Sequence, residues 1–338
     1  MRVLIHYKPK STHDAFEGIR IRKTLKGECE SVGIQWTDNH YEPFDIAHFI
    51  SFKDKGVLER LSQKSVKTVI SAFYSERDRD ACFLKTDRFG KIVLRKTAKA
   101  FLNEADAILV PSIPMKKYCE DNGIKSQVFV CPPPVNVDRF VLSDLESRLF
   151  LRYFGVSKER KYVLVTGNFY ERKKLSLLLS LARSFPQMRF YFLGSAPSWG
   201  NFLIRHYQNK APDNLRLSRV LNDDVYRSAL KHASAYLSLS SLPDGTTIME
   251  AFAAKTPVIA YGDQSLNPLL IDGITCHLCK SEKELIASLE EVYAGRQKET
   301  IISAFAIAKK NTIERSGPLL KAVYEYLMNK SKKEANKP

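Results

Sequence analysis

The chain has 338 residues, with 53 Lys and Arg against 37 Asp and Glu for a formal net charge of +16; 44% of residues are hydrophobic and 27% charged. This length fits two domains, each able to bury its own core, and the composition excludes a disordered chain. No stretch approaches the run of about 18 apolar residues that spans a bilayer. The opening residues 1–10 read as a first strand rather than a signal peptide, and six scattered cysteines fit reduced cytosolic thiols rather than a disulfide framework. The basic surplus favours polyanions: nucleic acid, anionic lipid headgroups or a phosphate-bearing ligand.

In chain order, strand patterns fall at residues 2–6, 46–51, 68–73, 107–110 and 127–131, with helical patterns at 14–32, 85–105 and 113–122. In the helical pattern at 85–105, Arg88, Lys91, Arg95 and Lys99 recur every three or four residues and share one face. That stripe is either a solvated face or a surface that docks on anionic lipid. Pro132–Pro134 forbid helix and central strand, so a linker is expected around 132–160. The pattern then restarts, with strands at 162–166, 189–193, 214–217, 235–239 and 257–260 and helices at 175–184, 224–233 and 282–294. Alternation of buried strands with helices predicts an α/β protein: two doubly wound, Rossmann-like parallel-sheet domains, residues 1–150 and 151–338, facing a central cleft.

Two clusters carry candidate chemistry. In Ser240–Gly262 a strand runs into a loop holding Asp244 and Gly245, and a helix opens near Thr246. Gly245 permits close backbone approach, and the amides of Thr246, Thr247 and Ile248 would face a diphosphate at the helix start. Asp244 and Glu250 flank that anion site, where carboxylates suit sugar or ribose hydroxyls. The plainer alternative makes Asp244 an N-cap and Glu250 a solvated side chain. In Thr166–Ala182 a strand ends at Gly167, and Arg172, Lys173 and Lys174 come just before a helix. Cations there suit a pyrophosphate, against the reading of an exposed basic turn.

Neither G-x-G-x-x-G nor a P-loop is present. Cys276-His277-Leu278-Cys279 lacks a second ligand pair, so it is expected to be a packed pair and no metal site. His48 lies in a strand and is expected to be a satisfied core histidine. The 15 Tyr and 19 Phe fall mostly within strand and helix patterns rather than in a stacking platform, which counts against a basic nucleic-acid-binding protein.

Together the segments resemble the family-4 retaining glycosyltransferases, which have the GT-B fold. Ala98–Ile124 is similar to that family's "helix, A-D-x-[IV], V-x-S, K, G-I" segment, and PPPVNVDRF (Pro132–Phe140) to "P-N-G-V-D-x-x-x-F". YVLVTGNFYERKKL resembles "G-R-L-x-x-x-K-G", RFYFLG resembles "L-x-[IL]-x-G", and EAFAAKTPVIA resembles "E-A-[MF]-A-x-G-x-P-V-I-A". The resemblance implies a metal-independent retaining transferase without cofactor, moving sugar from a UDP-, GDP- or similar nucleotide sugar to a glycan, lipid-linked or protein hydroxyl. A sugar-nucleotide epimerase or hydrolase of the same fold is the alternative. The last helix, about 316–330, is expected to cross back to the N-terminal domain.

By position, Lys173 resembles the lysine on the donor diphosphate, with Arg172 as its partner because Asn168 stands where the family has arginine. Glu250 matches the second glutamate of E-x7-E, on the ribose. The first glutamate's place falls at Leu242, and Asp244, six residues before Glu250, is the substitute that would orient the sugar. Gly167, Gly245, Thr246 and Thr247 complete the donor side, with Arg219 and Val220 near the base. His13, Gly18 and Tyr74 are the acceptor-side candidates; the family's glycine-rich loop after the first strand is missing, as is its histidine after the fourth. A cytoplasmic enzyme touching the inner membrane face is expected.

Overall fold

The computed structural model describes residues 1–8, 16–64, 66–76, 78, 80–89, 91–157, 161–196, 200–219, 221–242 and 245–335. The first domain runs β1 (Arg2–His6), α1 (Phe16–Ser31), β2 (Gln35–Thr37), β3 (Ile46–Phe49), α2 (Lys55–Ser62), β4 (Lys67–Ser71), β5 (Leu84–Thr86), β6 (Ile92–Leu94), α3 (Lys96–Leu102), β7 (Ala107–Val110), α4 (Ile113–Asp121) and β8 (Gln127–Val130). A 3-10 turn (Val137–Phe140), α5 (Asp144–Ser147) and α6 (Leu149–Phe154) follow. The second domain continues with β9 (Tyr162–Asn168), α7 (Arg172–Ser184), β10 (Arg189–Ser195), α8 (Asn201–Gln208), β11 (Leu215–Arg219), α9 (Asp223–His232), β12 (Ala235–Ser238), α10 (Gly245–Ala253), β13 (Val258–Tyr261), β14 (His277–Cys279), α11 (Glu282–Tyr293) and α12 (Lys298–Lys310). Helix α13 (Ile313–Ala335) follows α12.

Each domain holds a six-stranded sheet whose pairs are all parallel, in the orders β2-β1-β3-β4-β7-β8 and β11-β10-β9-β12-β13-β14. Helices cover both faces, so the central strands are apolar throughout: Val3, Leu4 and Ile5 in β1 and Val163, Leu164 and Val165 in β9 are fully buried. Strand order reverses at β1 in the first sheet and at β9 in the second. The carboxyl ends of those two strands are therefore where doubly wound sheets open a crevice for ligands.

The helix expected over 85–105 is not there. Strands β5 and β6 pair antiparallel as a hairpin, and only Lys96–Leu102 is helical. At the turn the Asp87 carboxylate accepts from the amides of Phe89 (2.8 Å) and Lys91 (2.9 Å), an Asx-type device that outcompetes helix in this stretch. Arg95 leaves the supposed stripe as well; its Nε donates to the carbonyls of Cys82 and Leu84 and pins the hairpin base.

The chain changes domain at the prolines rather than at 150. Val135, Phe140, Phe150 and Leu151 are buried in the core of the second domain, with Tyr162, Tyr226 and Phe252. In the other direction, Leu320, Val323, Tyr324 and Leu327 of α13 pack into the first domain's core with Ile21, Leu25 and Cys29 of α1. His48 is a satisfied core residue, bonded through Nε2 to Ser71 Oγ at 2.8 Å and through Nδ1 to the Tyr324 hydroxyl. Cys276 and Cys279 are buried, and burial pushes the Cys276 thiol up to about 12, the behaviour of an inert packed thiol.

Candidate active site

Helix α10 begins where the second sheet's carboxyl edge meets the first domain. Gly245 lies against the linker: a Cβ there would stand 2.7 Å from Pro133 Cγ, so only glycine lets the helix start so close. Thr246 Oγ1 donates to the Tyr74 carbonyl at 3.0 Å, and Thr247 Oγ1 donates to Glu17 Oε1 at 3.1 Å. The first turn of α10 thus faces the first turns of α1 across the domain boundary, and its amides and dipole favour negative charge there. Among the described residues, the Glu17 carboxylate meets that turn through Thr247.

Glu250, one turn further in and 2% exposed, joins three segments of the chain. Its Oε1 accepts from Arg139 Nη1 at 3.3 Å; its Oε2 accepts from Arg20 Nη2 at 3.1 Å and from the Tyr226 hydroxyl at 3.1 Å. The Arg20 guanidinium stacks 4.6 Å over the Tyr226 ring, and Arg139 also grips Asp223 at 2.6 Å. Burying this many charges is tolerable because each meets an opposite one. A carboxylate offers four lone-pair sites, and described residues occupy three of them here.

On the neighbouring strand end of the same carboxyl edge, Gly167 and Asn168 close β9. Asn168 Oδ1 is buried with no hydrogen-bond partner among the described residues. Arg172 and Lys173 stand exposed in the first turn of α7. The cation of this trio that turns inward is Lys174, whose Nζ meets Glu171 Oε1 at 2.6 Å. Burial pulls the Lys174 ammonium down, but the carboxylates of Glu76 and Glu171 outweigh it and hold it above its ordinary value. Glu76 belongs to the first domain, so this pair also acts across the cleft. Arg219 donates to the Ala196 carbonyl at 2.7 Å and to Asn201 Oδ1 at 2.9 Å, so its side chain braces the β11 end against α8.

The first domain contributes a buried acidic lining. Tyr7 donates to Asp78, the Gly18 amide donates to Asp78 Oδ2 at 3.0 Å, and Ser75 donates to Glu17. Burial pushes the Asp78 carboxyl up to about 7, against the pull of Tyr7 and of the Asp80 and Gly18 amides. A side chain at Gly18 would collide with the Tyr7 ring and Asp78. Tyr74 spends its hydroxyl on the Cys131 carbonyl at 2.6 Å. Phe73 beside it holds φ at +70°, a left-handed backbone that costs about 1–3 kcal/mol for a bulky residue and sits where the Tyr74 carbonyl meets α10.

Of the expected site residues, Gly245, Thr246, Thr247, Glu250, Gly18 and Tyr74 are brought together around α10 and α1. Gly167, Asn168, Arg172 and Lys173 come from the neighbouring strand end. His13, Val220 and Asp244 lie outside the described residues. Leu242, at the missing glutamate's place, is buried in the first domain's apolar core, so a cross-domain contact takes up that position. Sequence reasoning missed Glu17, Arg20, Arg139 and Tyr226; it named Lys174 in the basic run but gave the diphosphate to Lys173 and Arg172. Arg139 sits inside the quoted PPPVNVDRF motif and was findable there; Arg20 and Tyr226 carry no local signal.

Residues 151–309 match the family model of glycosyl transferases group 1. That domain belongs to the group 1 glycosyl transferases. The chain is 23% identical over 337 residues to the processive diacylglycerol alpha-glucosyltransferase of Acholeplasma laidlawii, covering 96% of this chain and 98% of the relative. It superposes on Anabaena Alr3699/HepE in complex with UDP and glucose at a TM-score of 0.70, with 12% identity, covering 96% of this chain and 100% of that one. Against the sucrose-phosphate synthase of Thermosynechococcus elongatus the TM-score is 0.65 at 17% identity, covering 96% and 81%. These superpositions bear on the fold, which is GT-B. The family match marks the second domain as a glycosyl transferase domain.

Proposed function

We propose that this group 1 glycosyltransferase moves a sugar, with retention and without a metal, from a uridine-diphosphate-type donor to a hydroxyl of a diacylglycerol-type lipid at an anionic membrane face in the cytoplasm. The observation that carries this reading is the first turn of α10 facing α1, with Glu250 one turn behind it. Helix-start amides, with Lys173, Arg172 and the inward Lys174, would stabilise the charge that gathers on the departing diphosphate. The donor ribose would take the remaining site on Glu250, and Asn168 and Asp244 would meet sugar hydroxyls. The acceptor hydroxyl attacks on the leaving-group face, and its proton goes to the departing phosphate oxygen, so no protein nucleophile takes part. The lipid acceptor rests on the diacylglycerol glucosyltransferase that matches nearly the whole chain.

The test is transfer of labelled glucose from UDP-glucose to dioctanoylglycerol in anionic vesicles, with and without EDTA. Glu250→Gln keeps the side chain's shape and one acceptor oxygen, but it removes the negative charge that offsets the Arg20 and Arg139 guanidiniums, which costs up to about 3–5 kcal/mol. Lys173→Ala and Glu250→Gln are each expected to lower turnover about 100-fold or more; the melting curve stays put in Lys173→Ala and falls in Glu250→Gln. Wild-type rates in both variants would remove the site assignment, and inversion at the anomeric carbon would remove the mechanism.

A further inference from the structure

Two pairs of side chains face each other across the domain boundary. Glu17 and Arg20 lie one turn apart on α1, and Thr247 and Glu250 one turn apart on α10, so each pair shares one face of its helix. Thr247 Oγ1 donates to Glu17 Oε1 at 3.1 Å, and Arg20 Nη2 donates to Glu250 Oε2 at 3.1 Å. Arg20 Nη2 also stands 3.5 Å from Thr247 Oγ1 and 4.0 Å from Glu17 Oε1, which closes the square. All four residues are buried. A guanidinium taken out of water needs a carboxylate in its place, and the nearer one for Arg20 belongs to the other domain.

Glu250 is the carboxylate that the proposed function gives to the donor ribose, and the groups covering it differ in origin. Arg139 and Tyr226 belong to the second domain and travel with it, whereas Arg20 belongs to the first. With Arg20 in place Glu250 is 2% exposed, so a ribose hydroxyl reaches it only after a covering group moves. Parting of the domains takes Arg20 off the carboxylate and leaves the second-domain partners where they are. The same movement withdraws the Glu17 carboxylate from the first turn of α10, where it would repel an incoming diphosphate.

We propose that the Arg20–Glu250 and Glu17–Thr247 contacts form a latch across the cleft that a nucleoside-diphosphate donor must open. Arg20 holds the ribose carboxylate until the domains part, and part of the donor's binding free energy goes into releasing it. This rests on the donor-site reading of α10 and Glu250 and deepens it by adding a gate to that site.

The decisive variant is Thr247→Val, which keeps the side chain's shape and the backbone amide but removes the hydroxyl between Glu17 and Arg20. Hydrogen–deuterium exchange without nucleotide is expected to quicken in α1 and the start of α10 together. UDP, titrated by calorimetry, is expected to bind about fivefold tighter, the equivalent of about 1 kcal/mol, because less of its binding opposes the closed arrangement. Arg20→Lys keeps a cation for Glu250 and is expected to move both readings the same way. Weaker UDP binding in Thr247→Val overturns the latch, since the hydroxyl would then serve the donor. Exchange unchanged in both helices overturns it too, as does faster exchange with unchanged UDP affinity. Faster exchange in both variants with no UDP binding by any of the three proteins supports the latch as a domain contact, and the donor-site reading then fails alone.

Discussion

Gly18 shows how one missing side chain shapes this site. Its amide donates to Asp78, and the space where a Cβ would go is filled by the Tyr7 ring and the same carboxylate. Gly18→Ala must displace the buried Tyr7 ring or the Asp78 carboxylate. Overpacking of this kind costs about 1–3 kcal/mol. A lowered melting temperature with a weakened Tyr7–Asp78 contact is expected, and Tyr7→Phe is not expected to restore it because the ring itself is in the way. An unchanged melting temperature in Gly18→Ala would show that α1 shifts freely there. From the sequence, Gly18 stood out only as the one glycine after the first strand. Its reason, a close approach between residues 7, 18 and 78, belongs to tertiary structure. The same holds for Glu250: EAFAAKTPVIA marked it, but its ties to Arg20 and Arg139 join positions more than a hundred residues apart.

At the scale of elements, the strands and most helices were legible because burial on both faces writes Val, Ile and Leu runs directly into the chain. The 85–105 segment was not, since basic residues three and four apart satisfy a helix pattern that the Asp87 turn overrides locally. The corrected element changes the membrane expectation. Phe89 at the hairpin tip is 73% exposed, with the Arg88 guanidinium 4.6 Å over its ring and Lys85 and Lys91 exposed nearby. An apolar tip ringed by cations suits an anionic bilayer better than a basic helix face whose Arg95 is already committed. Each basic residue near such a surface is worth about 1 kcal/mol, so Arg88→Glu with Lys91→Glu is expected to reduce co-flotation with phosphatidylglycerol vesicles at least tenfold, roughly, at low salt. Phe89→Ser should weaken it further, and reversing Lys99 should matter less. Flotation indifferent to all of these changes would take the hairpin out of membrane docking.

The whole molecule is held in one piece by α13, which returns from the second domain to the first, and that docking carries two buried titratable groups of opposite sense. Glu28 on α1 faces Ser316 on α13; burial pushes its carboxyl up to about 7, with the Ser316 hydrogen bond opposing. His48 meets Tyr324, and burial pushes its imidazole down to about 3. A carboxyl raised in the folded state stabilises fully below its unfolded value of 4.5 and loses that contribution as pH rises through about 7. An imidazole lowered in the folded state stabilises above its unfolded 6.5 and loses that contribution as pH falls toward about 3. Between those unfolded values the two slopes, each up to about 1.4 kcal/mol per pH unit, oppose one another, and the pair leaves the docking nearly level. Glu28→Gln removes one slope and keeps a group able to bond Ser316. Its melting temperature is therefore expected to gain on the wild type steadily from pH 4.5 to 7, which scanning fluorimetry in matched buffers reads directly. A gap between the two proteins that stays constant over this range would mean that Glu28 is ionised in the folded state throughout, and that α13 is not held by a neutral carboxyl.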